Sequence, residues 1–119
     1  MLIGIPTELL EGENRVAATP ETVKKFVAKG LHQVLVQTGA GKKSSFPDSA
    51  YEEAGASLVD NAAKIYGSAE LILKVQGPNE SESNLLKENQ VIIGLLQPHS
   101  ETIINRLKAS GVIGFAMER

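Results

Sequence analysis

Six short apolar runs are spaced along this sequence of 119 residues, and most of them are unbroken rather than alternating in polarity. Unbroken runs rich in β-branched residues are typical of strands covered on both faces, as in a parallel sheet. We therefore predict strands at Leu2–Ile5, Val34–Val36, Ser57–Val59, Leu71–Val75, Val91–Leu96 and Val112–Ala116. The run at Ser57–Val59 is the weakest of these and predicts a short edge strand.

Helix signals lie between these runs. In Thr19-Pro20-Glu21 the threonine can cap a helix, the proline fits its first position, and the glutamate favours the positive end of its dipole. Gly30 can end that helix. Further helices are predicted at Ser49–Ala54 with Asp48 as cap, from Asp60 to about Gly67, at Glu80–Glu88 after a Gly77-Pro78 turn, and from Ser100 to Gly111. This alternation predicts one α/β domain of three layers, a mostly parallel sheet with helices on both faces, of the flavodoxin- or Rossmann-like kind.

The composition argues against several classes of function. With 14 acidic and 12 basic residues the net charge is -2, which gives no electrostatic case for a nucleic-acid partner. No run of 18 apolar residues is present, so no transmembrane segment is predicted. The lack of cysteine excludes disulfides, thiolate metal sites and thiol catalysis, and is compatible with a reducing cytoplasm. The two histidines, His32 and His99, form no metal-ligand cluster.

The loop after the second predicted strand, Gly39-Ala40-Gly41-Lys42-Lys43-Ser44, contains half of a dinucleotide-binding fingerprint. The last position of the Gly-x-Gly-x-x-Gly pattern is Ser44, and Phe46-Pro47 separates the loop from the next helix. A P-loop needs Gly-Lys-Ser/Thr, whereas Lys42 is followed by a second lysine. We therefore interpret the loop as a tight turn with solvated lysines, and its glycines are not assigned as cofactor ligands.

Two cations are predicted at the carboxyl ends of the strands, where parallel α/β folds bind their ligands. Arg15 follows the first strand, and it could bind a carboxylate or phosphate bidentately or pair on the surface with Glu11 or Glu13. Lys74 is near the end of a central-looking strand, so it either faces a cleft or extends to solvent. We expect Arg15 and Lys74 to emerge along one rim, where they could converge on an anionic or carbonyl-bearing group. A loss of more than about 2 kcal/mol in Lys74→Ala would instead indicate a buried, paired lysine.

Gln97-Pro98-His99 follows the fifth predicted strand on the same edge. His99 could act as a general acid or base. No residue that would orient it is identifiable, so a loop or capping role is the alternative.

Several segments together resemble one known family. The most specific is Arg15-Val16-Ala17-Ala18-Thr19-Pro20 with the residues that continue it to Val23. The others are Ile3-Gly4-Ile5-Pro6, Gly39-Ala40-Gly41, Ser45-Phe46-Pro47-Asp48, Tyr51 through Ala54-Gly55-Ala56, and Ile72-Leu73-Lys74-Val75. In order and spacing they resemble the N-terminal domain shared by alanine dehydrogenase and the alpha subunit of the proton-translocating NAD(P) transhydrogenase.

The resemblance also separates two branches of this family. In alanine dehydrogenases, residues that match Arg15 and Lys74 bind the substrate keto acid, and a catalytic histidine follows the fifth strand. That position is Gln97 here, and His99 lies later in the chain, beyond Pro98. Transhydrogenase alpha subunits lack this histidine and commonly have a proline at the place of Pro98, so the resemblance favours the transhydrogenase. The alternatives are the substrate domain of an alanine dehydrogenase-like amino-acid dehydrogenase and a freestanding, non-catalytic α/β domain.

The transhydrogenase resemblance implies that nucleotide binding and proton translocation belong to other domains and subunits. Residues 1–119 would form the N-terminal domain of a larger alpha subunit, whose separate Rossmann domain binds NAD(H), and the isolated fragment would hold no cofactor and be inactive. A partner beta subunit would bind NADP(H), and hydride transfer from NADH to NADP+ would be coupled to proton translocation through a membrane part. The resemblance further implies a homodimer on the cytoplasmic side of the inner membrane. The candidate cleft residues are Arg15, Lys74 and Gln97, and no catalytic or metal-binding residue is assigned.

The sequence ends directly after its last predicted strand, which we expect to be a truncation or a domain boundary within a longer protein.

The incomplete glycine fingerprint leads to a prediction about NADH. In a calorimetric titration of this chain with NADH we expect no measurable binding, because the backbone cradle for the pyrophosphate is missing. A dissociation constant in the micromolar range would contradict this interpretation.

Overall fold

The computed structural model describes residues 1–9, 12–76, 82, 84–95 and 113–116. Within these ranges one sheet contains β1 (Leu2–Ile5), β2 (Gln33–Gln37), β3 (Ser57–Val59), β4 (Leu71–Gln76), β5 (Val91–Leu95) and β6 (Ile113–Ala116). The strands lie in the order β3-β2-β1-β4-β5-β6, and every neighbouring pair is parallel. The predicted parallel α/β fold is confirmed, and each predicted strand has its counterpart in the sheet.

In the described part of the chain, three α-helices cover the two faces of the sheet: α1 (Pro20–Val27), α2 (Asp48–Glu53) and α3 (Ala62–Ser68). On one face, alternate apolar residues of β1 and β2 pack with Val23 of α1 and Tyr51 of α2. On the other face, Ile65 and Tyr66 of α3 pack with apolar residues of β4 and β5. The unbroken apolar runs are therefore explained by burial on both sides, which gives the predicted three layers.

Close packing of α3 on the sheet depends on Gly4 in the middle of β1. A Cβ atom at this position would lie 2.5 Å from Ile65 Cγ2 and 2.9 Å from Ala69 Cβ. Both separations are far below an ordinary carbon–carbon contact. A side chain at residue 4 would therefore push α3 away from the sheet.

The start of α1 agrees with its prediction. Thr19 is the N-cap, and its side-chain oxygen accepts a hydrogen bond from Thr22 N at 3.2 Å. The α-helix ends at Val27, and a 3-10 turn follows at Ala28–Gly30. Gly30 has a φ of +68°, so helical backbone stops at the glycine that was expected to end it.

The predicted caps of the other two helices are wrong by one residue. Asp48 is the first residue of α2, and its carboxylate accepts a hydrogen bond from Gly39 N at 2.8 Å instead of capping. The N-cap of α3 is Asn61, whose side-chain oxygen accepts from Lys64 N at 2.9 Å. Asp60 pairs with the Lys64 ammonium, also at 2.9 Å. The carboxylate of each aspartate thus contacts another donor, and neither residue caps its helix.

The helix predicted at Glu80–Glu88 is wrong over residues 84–88, which form turns and irregular backbone, although Glu82 is helical. The predicted Gly77-Pro78 turn and the helix from Ser100 to Gly111 lie outside the described residues. None of the described helices is long and apolar enough to cross a membrane.

Gln90 explains why the backbone before β5 is not helical. Its buried side chain donates from Nε2 to Tyr66 O at 2.9 Å and to Ala69 O at 2.8 Å, while its Oε1 accepts from Lys87 N at 3.0 Å. The two carbonyls belong to the end of α3, where a helix leaves carbonyls without intrahelical partners. Tertiary hydrogen bonds thus fix this segment more strongly than its local helix propensity.

Gly94 leads to a prediction about stability, because it lies against β4 close to a register shift between β4 and β5. A Cβ atom there would overlap the backbone carbonyl oxygen of Lys74. Gly94→Ala should therefore lower the free energy of unfolding by about 1–3 kcal/mol in chemical denaturation.

The matched control is Gly67→Ala in α3, because a Cβ atom at Gly67 meets nothing within 4 Å. Alanine should stabilise that helix by up to about 1 kcal/mol. If Gly94→Ala unfolds at the same denaturant concentration as the parent chain, the close approach of β5 to β4 is wrong.

Candidate functional site

The carboxyl ends of β1 and β4 form the edge at which the sequence places its candidate residues. In the described sheet β1 pairs with β4 through Ile3 and Gly4, so the β4 backbone beyond them needs other partners. The carboxylate of Glu8 supplies these, since Oε2 accepts from Val75 N at 2.9 Å and Oε1 from Gln76 N at 3.0 Å. The buried Glu8 side chain thus takes the place of a neighbouring strand after β1 has turned away.

Lys74 lies in the same part of β4, and its side chain is only 1% exposed. Its Nζ donates to Glu82 Oε2 at 2.9 Å and lies 3.2 Å from Glu8 Oε1. The hydroxyl of Tyr66 donates to the same Glu82 oxygen at 3.0 Å. Burial, helped by the negative charge of Glu82, raises the pKa of Tyr66, so the hydroxyl remains protonated.

These four residues, Glu8, Tyr66, Lys74 and Glu82, form the Lys74 cluster. It sets two carboxylates against one ammonium in a nearly solvent-free site. An ammonium has three N–H donors, and the two carboxylates take two of them. Lys74 is therefore a buried, paired lysine that does not extend to solvent, and its role as a cleft residue stays a prediction.

Arg15 lies at the same edge, and 62% of its side chain is exposed. Its Nη2 donates to Glu13 Oε1 at 2.8 Å, and its Nε donates to Glu13 Oε2 at 2.9 Å. Glu13 is almost fully buried and also accepts from Gln76 Nε2 at 2.8 Å. These hydrogen bonds, first from Arg15 and then from Gln76, lower the pKa of Glu13 to about 2. Arg15 is therefore paired with Glu13, one of its two expected partners, while Glu11 lies outside the described residues.

Gln76 links the two cations across β4. Its backbone N–H binds Glu8 in the Lys74 cluster, and its side chain binds Glu13 beside Arg15. The pKa of Arg15 is raised mainly by Glu13 and to a smaller degree by the charge of Glu8. The two cations thus lie at one edge of the sheet, but each is held by its own carboxylates and no described contact brings them to a shared group.

The glycine loop after β2 is a tight turn, as interpreted. Hydrogen bonds from Ala40 N to Gln37 O and from Lys42 N to Gly39 O, at 3.0 and 3.1 Å, close it. A Cβ atom at Gly41 would lie 2.6 Å from the ring of Tyr51, so this glycine serves packing against α2. A surface depression of about 400 Å³ lies beside the loop. It is lined by Gly39, Lys42, Ser45, Phe46, Pro47 and Asp48.

The sequence reasoning missed Glu8, Tyr66 and Glu82. A lysine inside a central strand needs a carboxylate partner, and Glu8 follows the neighbouring strand closely, so this residue could have been found. No local pattern marks Tyr66 or Glu82. Gln97 and His99 lie outside the described residues, and their roles stay predictions. Within the described part of the chain, no group of three His, Asp or Glu side chains is arranged to hold a metal ion.

Comparison with known proteins gives a consistent pattern. A family model described as "Alanine dehydrogenase/PNT, N-terminal domain" matches residues 4–119. The chain is 40% identical to alanine dehydrogenase 1 of Staphylococcus aureus, over 99% of this chain and 31% of that protein. It is 35% identical to the NAD(P) transhydrogenase subunit alpha of Cereibacter sphaeroides, over 99% of this chain and 23% of that protein.

Solved structures lead to the same two groups of proteins. An L-alanine dehydrogenase superposes with a TM-score of 0.92 at 32% identity, over 98% of this chain and 32% of the other. The transhydrogenase from Sinorhizobium meliloti superposes with a TM-score of 0.91 at 35% identity, over 99% and 35% of the two chains. The chain thus spans between 23% and 35% of the length of these relatives, and the comparisons do not separate the two groups.

The Lys74 cluster leads to a prediction about stability. Lys74→Ala should lower the free energy of unfolding by at least about 3 kcal/mol, because it leaves Glu8 and Glu82 buried together without a counter-charge. Chemical denaturation at neutral pH measures the change. In Lys74→Ala combined with Glu82→Gln, part of the loss should be recovered.

Lys64→Ala is the matched control, since Lys64 is an exposed lysine whose pair with Asp60 is open to solvent. Its unfolding should stay close to that of the parent chain. A cost for Lys74→Ala as small as that of Lys64→Ala would show that Lys74 is not a buried ion-pair residue.

Proposed function

Since this chain belongs to the family of alanine dehydrogenase/PNT N-terminal domains, we propose that it is the N-terminal domain of the alpha subunit of a proton-translocating NAD(P) transhydrogenase. It is then one part of a longer oxidoreductase. The complete enzyme transfers a hydride from NADH to NADP+ and couples this to proton translocation.

The observation that carries the proposal is the burial of Lys74 between two carboxylates, at 2.9 and 3.2 Å. An amino-acid dehydrogenase must bind the carboxylate and carbonyl of a 2-oxo acid with cationic or polar donors. The Lys74 ammonium is occupied and nearly inaccessible, so it is poorly suited to that task. A transhydrogenase has no such acid to bind, and a lysine that holds the edge of the sheet together is compatible with its chemistry.

The proton balance of the two reactions supports the same choice. Hydride exchange between two nicotinamides moves no substrate proton, so it needs no general acid or base beside the nicotinamide. Oxidation of an amino acid to a 2-oxo acid releases protons and uses a proton-accepting group. Gln97 stands where the resemblance puts the catalytic histidine, and an amide side chain does not titrate in the accessible pH range.

In the proposed enzyme, both nucleotide-binding sites and the membrane part lie outside this chain. NAD(H) binds a Rossmann domain of the same subunit, and NADP(H) binds the partner beta subunit, which leads into the membrane part. These nucleotides supply the hydride chemistry when bound. The present domain forms a wall beside the nicotinamide on the cytoplasmic side and contributes to a homodimer, with Arg15, Lys74 and Gln97 on the facing edge.

A second candidate is the substrate domain of an alanine dehydrogenase. It is favoured by the identity of 40% to the Staphylococcus aureus enzyme, against 35% to the transhydrogenase subunit. In that case the exposed Arg15 guanidinium would bind the substrate carboxylate. The occupied Lys74 and the residue Gln97 make this candidate the weaker one.

Two assays on the full-length protein that carries this chain test the choice. Together with its NADP(H)-binding subunit, it should reduce an NADP+ analogue with NADH as donor, and the control preparation lacking that subunit should not. With NAD+ and L-alanine, the protein should form no NADH. Alanine-dependent NADH formation without transhydrogenation would establish the second candidate, and the absence of both activities would leave the non-catalytic domain.

A further inference from the structure

In the described ranges, the guanidinium of Arg15 donates side-chain hydrogen bonds from one side only. An arginine side chain has five N–H donors arranged in a planar fork. Glu13 takes the Nε and Nη2 side of the group, at 2.9 and 2.8 Å. No described residue accepts a hydrogen bond from Nη1, and the side chain is 62% exposed. The Nη1 end of the fork therefore remains available at the carboxyl edge of the sheet.

Glu13 is held more firmly than its partner. Its side chain is 6% exposed, and its two oxygens accept four hydrogen bonds. Two come from the Arg15 side chain, one from Arg15 N, and one from Gln76 Nε2 in β4. Because its pKa is held near 2, Glu13 stays ionised at any pH at which the enzyme would work. The carboxylate is thus a fixed support, anchored to the sheet through Gln76.

A second contact steadies the same loop. Ser44 donates from its hydroxyl to the backbone carbonyl of Asn14, between Glu13 and Arg15. The loop after β1 is in this way tied both to β4 and to the loop after β2. The Arg15 side chain itself is held by its two hydrogen bonds to Glu13.

We propose that Glu13 is a positioning residue for Arg15: by occupying the Nε and Nη2 side, it directs the Nη1 end of the guanidinium outward to bind an oxyanion ligand. The inference deepens the proposed function, because it concerns one of the facing-edge residues of that function. The ligand offers carboxylate or phosphate oxygens, which match the fork of an arginine. Phosphate would come from the dinucleotide that the separate Rossmann domain binds in the longer protein, and carboxylate from a 2-oxo acid.

The positioning role of Glu13 and a simple charge effect predict opposite changes in anion binding when the charge of Glu13 is removed. Glu13 neutralises Arg15, so removing its charge should by electrostatics alone strengthen the binding of an anion. If Glu13 positions the guanidinium, its neutral variant should bind an anion more weakly, because Arg15 loses its fixed orientation. The two explanations predict changes of opposite sign.

The experiment follows the arginine side chains of the 119-residue chain by ¹⁵N NMR, with pyrophosphate and oxalate as probes at constant ionic strength. The sequence contains three arginines, Arg15, Arg106 and Arg119, and Arg15→Lys identifies the Arg15 Nε–H signal. Glu13→Gln should move this signal and weaken the binding of the preferred probe about fivefold. Gln76→Ala, which removes only the support of Glu13, should weaken binding less.

The matched control is Glu53→Gln, which removes the same charge from an exposed position of α2. It should leave the Arg15 signal in place and should not weaken binding. Unchanged or tighter binding in Glu13→Gln would overturn the proposal, as would the lack of any Arg15 response to both probes. If Glu13→Gln does not fold, binding is measured in Gln76→Ala instead. Weaker binding of the preferred probe than in the parent chain then supports the proposal, and unchanged or tighter binding overturns it.

The two probes distinguish the source of the oxyanion, since pyrophosphate represents a dinucleotide and oxalate a 2-oxo acid. The measurement needs neither hydride transfer nor a partner subunit. A failed transhydrogenase assay would therefore leave the result on Glu13 intact, and a negative result on Glu13 would leave the assay unaffected.

Discussion

Both oxygens of Glu8 accept hydrogen bonds from the backbone of β4, and one of them also pairs with the Lys74 ammonium. This single carboxylate joins the loop after β1 to the central strand at the point where the direct pairing of β1 and β4 has ended. Beyond that point, it provides the acceptors for the backbone N–H groups of Val75 and Gln76. The position of Lys74, the path of the β4 backbone and the neighbouring contact of Gln76 all depend on this interaction.

At the carboxyl edge, acidic residues therefore fix the positions of the two cations, although the sequence analysis singled out the cations as candidate site residues. Glu8 and Glu82 enclose Lys74, and Glu13 holds Arg15. A cation that is buried against its counter-charges contributes rigidity, whereas an exposed cation with free donors can still recognise a ligand. Lys74 belongs to the first kind and Arg15 to the second. This difference separates two residues that the family resemblance treats as a pair.

Much of the fold could be predicted from the sequence, because burial on both faces leaves a local mark in each apolar run, as in Leu71–Val75. The cap of α1 was equally local, with Thr19 directly before Pro20. The prediction failed where distant groups decide the outcome. Gln90 binds the end of α3, and so the helix expected before β5 gives way to turns. For the site, the resemblance supplied Arg15 and Lys74, but it could not reveal that Lys74 is enclosed by residues from three separate segments.

The shortness of β3 has a consequence for the behaviour of the molecule in concentrated solution. With three residues at about 3.3 Å each, this border of the sheet is only about 10 Å long. Unpaired backbone groups on a long border invite strands from other molecules and lead to aggregation. A border this short gives an incoming strand few places to attach, so self-association through β3 is disfavoured by the architecture itself.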